Sequence, residues 1–367
     1  MTSKHTSHRP TAFGTGLVGL DLVFDRGPVA APVPSAGGTC ANVLAILSYL
    51  GWESFPIARL ADDLASVYVR DDLKRWGVAL DFVAQVPAAP TPVITQTIQR
   101  ARNEPPRHRF SFVCPACGAR FPRFRSITRP AAGRVLRTLA VSRTSEFAPS
   151  VFFLDRLSPG AIHLASAFAA RGTLVVFEPS GMEDRTLFAQ ALSVGHVLKY
   201  SRSQLPRLSA LPPASPSWLL EIETCGAAGL RFRSRHGGPP KWQELDAVGT
   251  AELVDTAGAG DWCSAGLLAE LATAGVSSLA QATALDLARA IRVGQAAAAV
   301  ACEYAGARGA MYHLSRSAFR QAVADRLAVA CEGAPTRQIG GPARARYNAL
   351  PKRPAVCLHG YPWGSQC

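Results

Sequence analysis

The sequence has no long apolar run. No window approaches the roughly 18 uninterrupted apolar residues that a transmembrane helix needs. The first ten residues, MTSKHTSHRP, are polar and contain no apolar stretch ahead of a small-residue cleavage site. From these absences we expect a soluble protein that stays in the cytoplasm and has no membrane partner.

Charged residues are also scarce. They make up 18% of the 367 residues, whereas 48% are hydrophobic, a composition that excludes a disordered chain and can bury the core of one large domain. The nine cysteines form no disulfide framework, because most stand singly in apolar segments. Only Cys114 and Cys117 have the spacing of a motif.

Acidic residues are outnumbered by basic ones, 26 against 39, which gives a formal net charge of +13. The excess is confined to three segments. Residues 1–10 carry +2, residues 99–129 carry eight arginines and +7, and residues 331–367 carry +4. The rest of the chain is neutral overall, which favours an enzyme with basic peripheral segments, and we do not expect a nucleic-acid partner.

Apolar runs rich in Val, Leu and Phe alternate with Ala/Leu stretches of helical period, a pattern typical of an α/β fold with a mostly parallel sheet. The predicted strands are 16–24, 174–177 and 218–222, and the predicted helices are 38–50, 261–275 and 281–304. We predict a flexible N-terminus (1–10), one domain (11–330) and a disordered basic tail (331–367), because the tail is rich in Pro and Gly and has no apolar periodicity.

Residues 90–129 interrupt this pattern. They begin with TPVITQTIQ, which alternates like a half-exposed strand, and continue with interleaved Arg, Phe and Pro. Near the N-terminus, Gly14, Gly16 and Gly19 have GxGxxG spacing, but a strand-like run follows them where a dinucleotide-binding motif requires a helix. We therefore reject a dinucleotide site there.

The most informative segment is DTAGAGD at residues 255–261, between an apolar run and a predicted helix. Small residues let successive amides converge, and the helix N-terminus adds positive potential, so the turn predicts an anion hole formed by Ala257, Gly258, Ala259 and Gly260. Asp261 at its mouth is placed to take a proton from an attacking hydroxyl. The alternative is an ordinary glycine-rich turn in which the aspartate caps the helix.

DTAGAGD resembles the C-terminal signature of the PfkB, or ribokinase-like, family of carbohydrate and nucleoside kinases. Other segments resemble the family's motifs in the same order: AGGTCANVLAILSYLGW, DDLASVYVRDDLKRWGV, VVFEPSG and ETCGAAGL. The resemblance spans roughly residues 12–330. It implies a ribokinase-like fold with helices on both faces of the sheet and a small β lid, built from residues near 22–36 and 90–128.

The resemblance also implies roles for particular residues. Asp21, Gly37, Gly38 and Asn42 correspond to positions that hold the sugar, and Asp261 to the catalytic base. On the nucleotide side the implied residues are Ser201, Thr224, Gly226, Gly229, Ala298, Cys302 and Gly306. The implied cofactors are ATP and Mg²⁺.

Three departures from the family pattern lie near the implied site. Ala61-Asp62-Asp63 and Ser66 replace the usual Gly-Asp-Asp and a later glycine, which leaves the substrate's identity open. Ser201-Arg202-Ser203-Gln204 stands where the family has Asn-x-x-Glu, which orders Mg²⁺ and phosphate. Glu178 replaces the aspartate of Asp-Pro-Asn.

The CPACG segment at Cys114 and Cys117 is typical of a knuckle that offers two thiolates to zinc, half of a tetrahedral site. Two knuckles would complete a Zn²⁺ site across a homodimer joined through its lids, or Cys357, His359 and Cys367 of the tail would supply the missing ligands. The alternative is two reduced thiols in a turn. The neighbouring arginines would lie at the mouth of the substrate cleft and favour a substrate with an anionic group.

The predicted function is ATP-dependent phosphorylation of a hydroxymethyl group on a sugar or nucleoside. The competing hypothesis is an inactive PfkB-fold scaffold whose zinc-clasped, Arg-rich lid binds an acidic partner. The intact Asp261 and its glycines favour the enzyme.

Overall fold

The computed structural model describes residues 9–24, 32–99, 106–115, 117–142, 148–204, 218–235 and 240–331. The predictions for residues 1–8 and 332–367 lie outside these ranges. The strands are β1 (Thr11–Thr15), β2 (Gly19–Phe24), β3 (Val33–Gly37), β4 (Glu53–Leu60), β5 (Val83–Gln85), β6 (Val93–Gln99), β7 (Arg107–Ser111), β8 (Val151–Leu154), β9 (Leu174–Phe177), β10 (Val197–Ser201), β11 (Leu220–Thr224), β12 (Leu230–Ser234) and β13 (Gln243–Leu245). The helices are α1 (Thr39–Leu50), α2 (Leu64–Arg75), α3 (Arg129–Ser142), α4 (Pro159–Ala169), α5 (Arg185–Val194), α6 (Ala259–Leu271), α7 (Val276–Gln281), α8 (Ala284–Ala301), α9 (Gly309–His313) and α10 (Arg316–Cys331).

Nine strands form a central sheet in the order β13-β12-β11-β10-β9-β8-β1-β4-β5. The pairs from β11 to β5 are parallel, and only β12 and β13 pair antiparallel, at one edge. The predicted α/β class with a mostly parallel sheet is therefore confirmed. The parallel order also brings the carboxyl ends of neighbouring strands to one edge of the sheet, where ligands bind in folds of this kind.

The strand predicted over residues 16–24 is confirmed for residues 19–24, which form β2, but it is not the first strand, because β1 (Thr11–Thr15) precedes it. The chain leaves the central sheet after β1 and enters a second sheet as β2. The turn between them is held by the Leu17 amide, which donates to Asp155 Oδ1 at 3.0 Å, and a Cβ on Gly16 would lie 1.6 Å from that same oxygen. Gly16 therefore allows the backbone to pass over a buried carboxyl, and the GxGxxG glycines lie on strands and a turn rather than before a helix.

Local signals in the sequence place several helix ends. Asp63 caps α2 by accepting from the Ser66 amide, and Ser158 caps α4 in front of Pro159. Thr283 and Asp286 form a capping box at the start of α8. At the end of α1, Gly51 has φ of +112°, a conformation that favours glycine.

Apolar side chains pack on both faces of the central sheet. One core joins the sheet to α1, α2, α6, α8 and α10, and contains Leu44, Trp262 and Phe319. The other joins it to α3, α4 and α5 around Phe13 and Phe168. Because both faces are covered, the central strands β8 and β9 are apolar throughout, as the sequence pattern predicts, whereas β10 and β11 also carry Lys199, Glu221 and Glu223.

The second sheet has the order β3-β2-β6-β7 and contains segments that the sequence assigned to a lid. On one face of β2, Leu20, Leu22 and Phe24 pack into the main core. The opposite face turns toward residues 255–261, because Gln96 Nε2 donates to Asp255 Oδ2 at 2.7 Å.

None of the helices in the described ranges has the length and hydropathy of a membrane-spanning segment.

Candidate active site

The glycine pair at the end of β3 makes room for a buried carboxyl. A Cβ on Gly37 would lie 1.9 Å from Asp21 Cγ, and one on Gly38, where φ is +88°, would lie 2.4 Å from the Leu17 carbonyl oxygen. Asp21 is 6% exposed, and burial raises its pKa to about 7, although the Arg308 charge and the Gly38 amide oppose that rise. The pair thus fits backbone closely around the Asp21 carboxyl.

Asp21 and Asn42 each present an oxygen with no hydrogen-bond partner. Within the described part of the chain, Asp21 Oδ1 and Asn42 Oδ1 are both buried and accept no hydrogen bond. Unsatisfied buried acceptors are costly, and at a cleft they indicate where hydroxyl donors of a ligand bind. The four residues predicted to hold substrate therefore include two with acceptors ready for it.

Asp261 lies in the first turn of α6 and is 8% exposed. Asn42 Nδ2 donates to Asp261 Oδ2 at 2.7 Å, so α1 and α6 bring a predicted substrate residue and the predicted base into contact. Burial and the Glu178 charge raise the pKa of Asp261 to about 8, while Asn42 and Lys199 oppose that shift. The helix N-cap is Gly258, not Asp261, so the alternative in which this aspartate caps the helix is wrong.

The loop before α6 needs glycine at position 258. Its φ is +73°, and a Cβ there would lie 2.3 Å from the Ala307 carbonyl oxygen. The predicted anion hole needs one correction, because the Ala257 amide already donates to Asp255 Oδ1 at 3.0 Å. The Ala259 amide likewise donates to the Thr256 carbonyl oxygen at 3.3 Å, so the donors that remain at the start of α6 are the amides of Gly258, Gly260 and Asp261.

Asp255, the first residue of the motif, connects three parts of the site. Its Oδ2 accepts from Gln96 on β6 at 2.7 Å and from the Gly306 amide at 2.9 Å. His108 on β7 approaches the same loop, with Nδ1 3.0 Å from Thr256 Oγ1. The motif alone assigns Asp255 no role, but its side chain joins the second sheet to the predicted anion site.

A buried ion pair supports the start of α6, and the sequence analysis missed its cation. Lys199 on β10 donates from Nζ to Glu178 Oε1 at 2.5 Å and to the Gly260 carbonyl oxygen at 3.1 Å. Ser264 Oγ donates to Glu178 Oε2 at 2.6 Å. The position of Lys199 within the apolar strand VLKYS was the available signal, because an unpaired lysine is not buried.

Asp155, at the carboxyl end of β8, is a further carboxyl that the sequence analysis missed. It is 1% exposed, and burial raises its pKa to about 6, while Arg156 and the Leu17 amide oppose that rise. Its charge and that of Glu178 both raise the pKa of Asp261. Asp155, Glu178 and Asp261 are far apart in the sequence, but the fold brings their carboxyls together from two strand ends and the start of a helix.

Two of the residues predicted on the nucleotide side are neighbours across a strand pair. Ser201 ends β10 and pairs with Thr224, which ends β11. Gly226 (φ +60°) and Gly229 (φ +90°) bound the tight turn that follows.

The other three residues predicted on the nucleotide side, Ala298, Cys302 and Gly306, lie at the end of α8 or just beyond it. The Cys302 carbonyl oxygen accepts from the amides of Val254 and Asp255, and the Cys302 amide donates to Ala298 O one turn earlier. Gly306 reaches Asp255 through its amide. These contacts connect the implied nucleotide segment directly to the DTAGAGD loop.

The residues at 201–204 do not fit a protein-held magnesium ion. Ser201 Oγ lies 2.7 Å from Ser203 Oγ, and Gln204 is exposed and neutral. The charged side chain between them is Arg202, which donates to buried Glu223 at 3.0 Å. Magnesium prefers carboxylates and phosphate oxygens, so this segment offers it no anionic ligand.

The cysteine knuckle forms a tight turn in the extension after β7. The Gly118 amide donates to Cys114 O at 2.9 Å, and the Ala119 amide donates to Cys117 Sγ at 3.4 Å. Among the described residues no group of three or more His, Cys, Asp or Glu is placed to hold a metal, and Cys357, His359 and Cys367 lie outside those residues. A cavity of about 490 Å³ beside the knuckle is lined by Phe112, Val113, Arg120, Phe121, Arg123 and Phe124. Because none of the predicted site residues lines it, this cavity is not the predicted active site.

Comparison with known proteins finds a matching family model for part of the chain and similar solved structures for most of it. The model described as "pfkB family carbohydrate kinase" matches residues 222–313, which include DTAGAGD and the implied nucleotide segment. A search of curated proteins gives no significant match.

Solved structures match over most of the chain. Ribokinase from Giardia lamblia aligns with a TM-score of 0.64 and 16% identity over 87% of this chain and 98% of its own. The Arabidopsis thaliana ribokinase complexed with ribose and ATP aligns at 0.60 and 18% identity over 86% and 99%. A Burkholderia thailandensis nucleoside kinase in complex with inosine aligns at 0.61 and 15% identity over 87% and 97%. The ribokinase-like fold and the resemblance to the PfkB family are both confirmed.

Proposed function

From a ribokinase-like fold that carries the PfkB motif, we propose that the protein transfers the γ-phosphoryl group of ATP to a hydroxymethyl group of a sugar or nucleoside. The observation that carries the proposal is the placement of Asp261. Its carboxyl is buried in the first turn of α6, hydrogen bonded to Asn42 and preceded by a glycine loop with its amides at the helix N-terminus.

In the proposed reaction, Asp261 takes the proton of the substrate hydroxyl as its oxygen attacks the γ-phosphorus. The bond from that phosphorus to the oxygen bridging the β- and γ-phosphates breaks, and ADP leaves with the electron pair. A raised pKa suits this role, because the carboxylate, once ionised, is a stronger base than an exposed aspartate. The amides that begin α6 stabilise the negative charge on the transferring group.

Substrate binding in the proposal falls to Asp21, Gly38 and Asn42. A polyol would supply hydroxyl donors to the unsatisfied buried acceptors Asp21 Oδ1 and Asn42 Oδ1. The nucleotide would lie along Ser201, Thr224, Gly226 and Gly229 on one side and the end of α8 on the other. Magnesium would arrive with the nucleotide phosphates. We assign no step to it, because residues 201–204 provide no carboxylate.

The test is a substrate panel. Purified protein is incubated with ATP and single sugars or nucleosides, and ADP release is measured by a coupled assay, with Asp261→Asn as the matched control. We expect ADP release that depends on one class of acceptor and falls at least tenfold in the variant. Failure of every acceptor, combined with salt-sensitive retention on a polyanion column, would instead favour a scaffold that binds an acidic partner.

A further inference from the structure

The second sheet has one face directed into the proposed cleft, and strand register identifies the side chains on it. Val23 on β2 pairs with Gln96 on β6, and Gln96 pairs with Phe110 on β7. Two hydrogen bonds show that this face lies against the motif loop: Gln96 donates to Asp255, and His108 Nδ1 is within hydrogen-bond distance of Thr256 Oγ1. The described residues on this cleft face include Asp21, Val23, Ile94, Gln96, Ile98, His108 and Phe110.

Phe110 is half exposed although it belongs to the cleft face. It is 50% exposed, and its ring centroid is 4.9 Å from that of His108 with an interplanar angle of 56°. Beside it, Gln96 is fully buried and its Oε1 has no hydrogen-bond partner within the described residues. An uncovered aromatic ring next to a buried, unsatisfied acceptor indicates a subsite for a flat group that carries a hydrogen-bond donor.

The charge around Phe110 argues against an anionic group at this subsite, and Arg308, which acts on Asp21 at the far side of the sheet, is paired with Asp72. Arg109 pairs with Thr97, one residue out of register with His108 and Phe110, so it belongs to the opposite face of the sheet. Among the described side chains of the cleft face there is no lysine or arginine. The expectation that the lid arginines meet an anionic group of the substrate is therefore wrong for Arg109, and the subsite fits an uncharged group.

The distance across the sheet favours an acceptor with two linked rings. Asp21 lies on β2 and Phe110 on β7, with β6 between them. Two strand spacings amount to about 10 Å, and the register offset of two residues between Ile94 and Gln96 adds about 7 Å along the strands, so the two positions are about 12 Å apart. A single sugar ring bound at Asp21 and Asn42 does not extend over that distance, whereas a sugar joined to a planar ring does.

We infer that the phosphoryl acceptor is an uncharged nucleoside, whose base stacks on Phe110. The sugar hydroxyls would donate to Asp21 and Asn42, and a donor of the nucleoside would reach Gln96 Oε1, with His108 at the edge of the base. The inference rests on the proposed kinase function and narrows its acceptor from sugars and nucleosides to nucleosides.

The test compares Phe110→Ala with Arg109→Ala, which changes the neighbouring residue on the opposite face. For uridine, adenosine and inosine we expect kcat/KM at least tenfold above that for ribose or fructose. Loss of one base-stacking ring costs roughly 10- to 100-fold in affinity, which we expect as a rise in nucleoside KM for Phe110→Ala. Arg109→Ala should stay within about twofold, and Phe110→Trp should keep the stacking.

The outcomes separate this inference from the proposed function. Equal use of free sugars and nucleosides, unaffected by Phe110→Ala, would overturn the nucleoside assignment and leave the kinase in place. If no acceptor is phosphorylated, nucleoside binding is measured directly by calorimetry. Binding that Phe110→Ala weakens tenfold supports the subsite even though the kinase proposal fails, and absence of binding overturns both. Urea midpoints of the variants exclude misfolding as the cause.

Discussion

Replacing Asp261 with asparagine removes the proposed base while nearly preserving its shape. The side chain is 8% exposed, and its Oδ2 accepts from Asn42 at 2.7 Å, a bond that an amide oxygen can still accept. General base catalysis contributes about 10²–10⁴-fold to a rate, so we expect turnover to fall by at least tenfold. ATP affinity should be unchanged, because the glycine loop and the amides of α6 remain. Coupled ADP release and calorimetry measure the two quantities.

The same substitution changes how stability depends on pH. The pKa of Asp261 is raised from 3.8 to about 8, chiefly by burial and then by the charge of Glu178. A carboxyl whose folded pKa is raised stabilises the fold while it is protonated, fully below its unfolded pKa, and this stabilisation is lost as the pH rises through its folded pKa. The asparagine variant has no such loss. The free energy of unfolding of the variant, relative to that of the wild type, should therefore increase between about pH 4 and pH 8.

The size of that growth has an upper limit. One pKa unit corresponds to about 1.4 kcal/mol, so the limit between about pH 5 and pH 7 is about 3 kcal/mol. Relaxation of the protein and entry of water make the real effect smaller than this limit. We expect the stability of the variant relative to the wild type to rise by at least about 1 kcal/mol from pH 5 to pH 7.

Urea unfolding at both pH values measures this gain. Asp325→Asn, on the exposed side of α10, is the control and should show no gain. Retention of more than a tenth of the turnover would refute the base assignment. If the difference in free energy of unfolding between variant and wild type did not change with pH, the raised pKa of buried Asp261 would be refuted.

Four further predictions concern the rest of the molecule. Gly258→Ala places a Cβ 2.3 Å from the Ala307 oxygen at a φ of +73°, so urea unfolding should show a loss of at least about 2 kcal/mol. Gly226→Ala, at a φ of +60° but in open space, should lose only about 1 kcal/mol, and equal losses would contradict the steric argument. Lys199→Met leaves Glu178 without its cation and should cost about 3–5 kcal/mol in the same measurement, while adding Glu178→Gln should recover at least half; no recovery would mean that the ion pair is not the cause. A chain ending at residue 335 retains α10 and should keep its fold and turnover, and precipitation or inactivity would make the tail part of the structure. Any zinc that Cys114 and Cys117 hold should either bridge two chains or recruit the tail: metal analysis and sedimentation would then find one zinc per two chains, lost with dimerisation in Cys114→Ser, in the first case. One zinc per chain that requires Cys357 would support the tail ligands instead, and no zinc with both thiols alkylated would contradict both alternatives.

Signals within short segments predicted much of the fold. Leu174–Phe177 and the helix after the glycine pair lie where the periodicity predicts them, because a buried strand and an apolar helix face are written in consecutive residues. The turn at residues 16–18, which separates β1 from β2, was not predictable in this way. It depends on Asp155, which lies far along the chain and binds the Leu17 amide.

The candidate site divides along the same line. The sequence alone determined the glycine pair, the DTAGAGD turn and Asp261, because tight backbone geometry demands particular residue types at fixed spacing. Only the tertiary structure decided that Lys199 and Glu178 support the start of α6, that Gln96 and His108 meet the motif loop, and that Arg109 faces away from the cleft. These contacts join strands of two sheets to a distant helix. Their energies depend on distance, burial and strand register, which become defined only once the chain has folded.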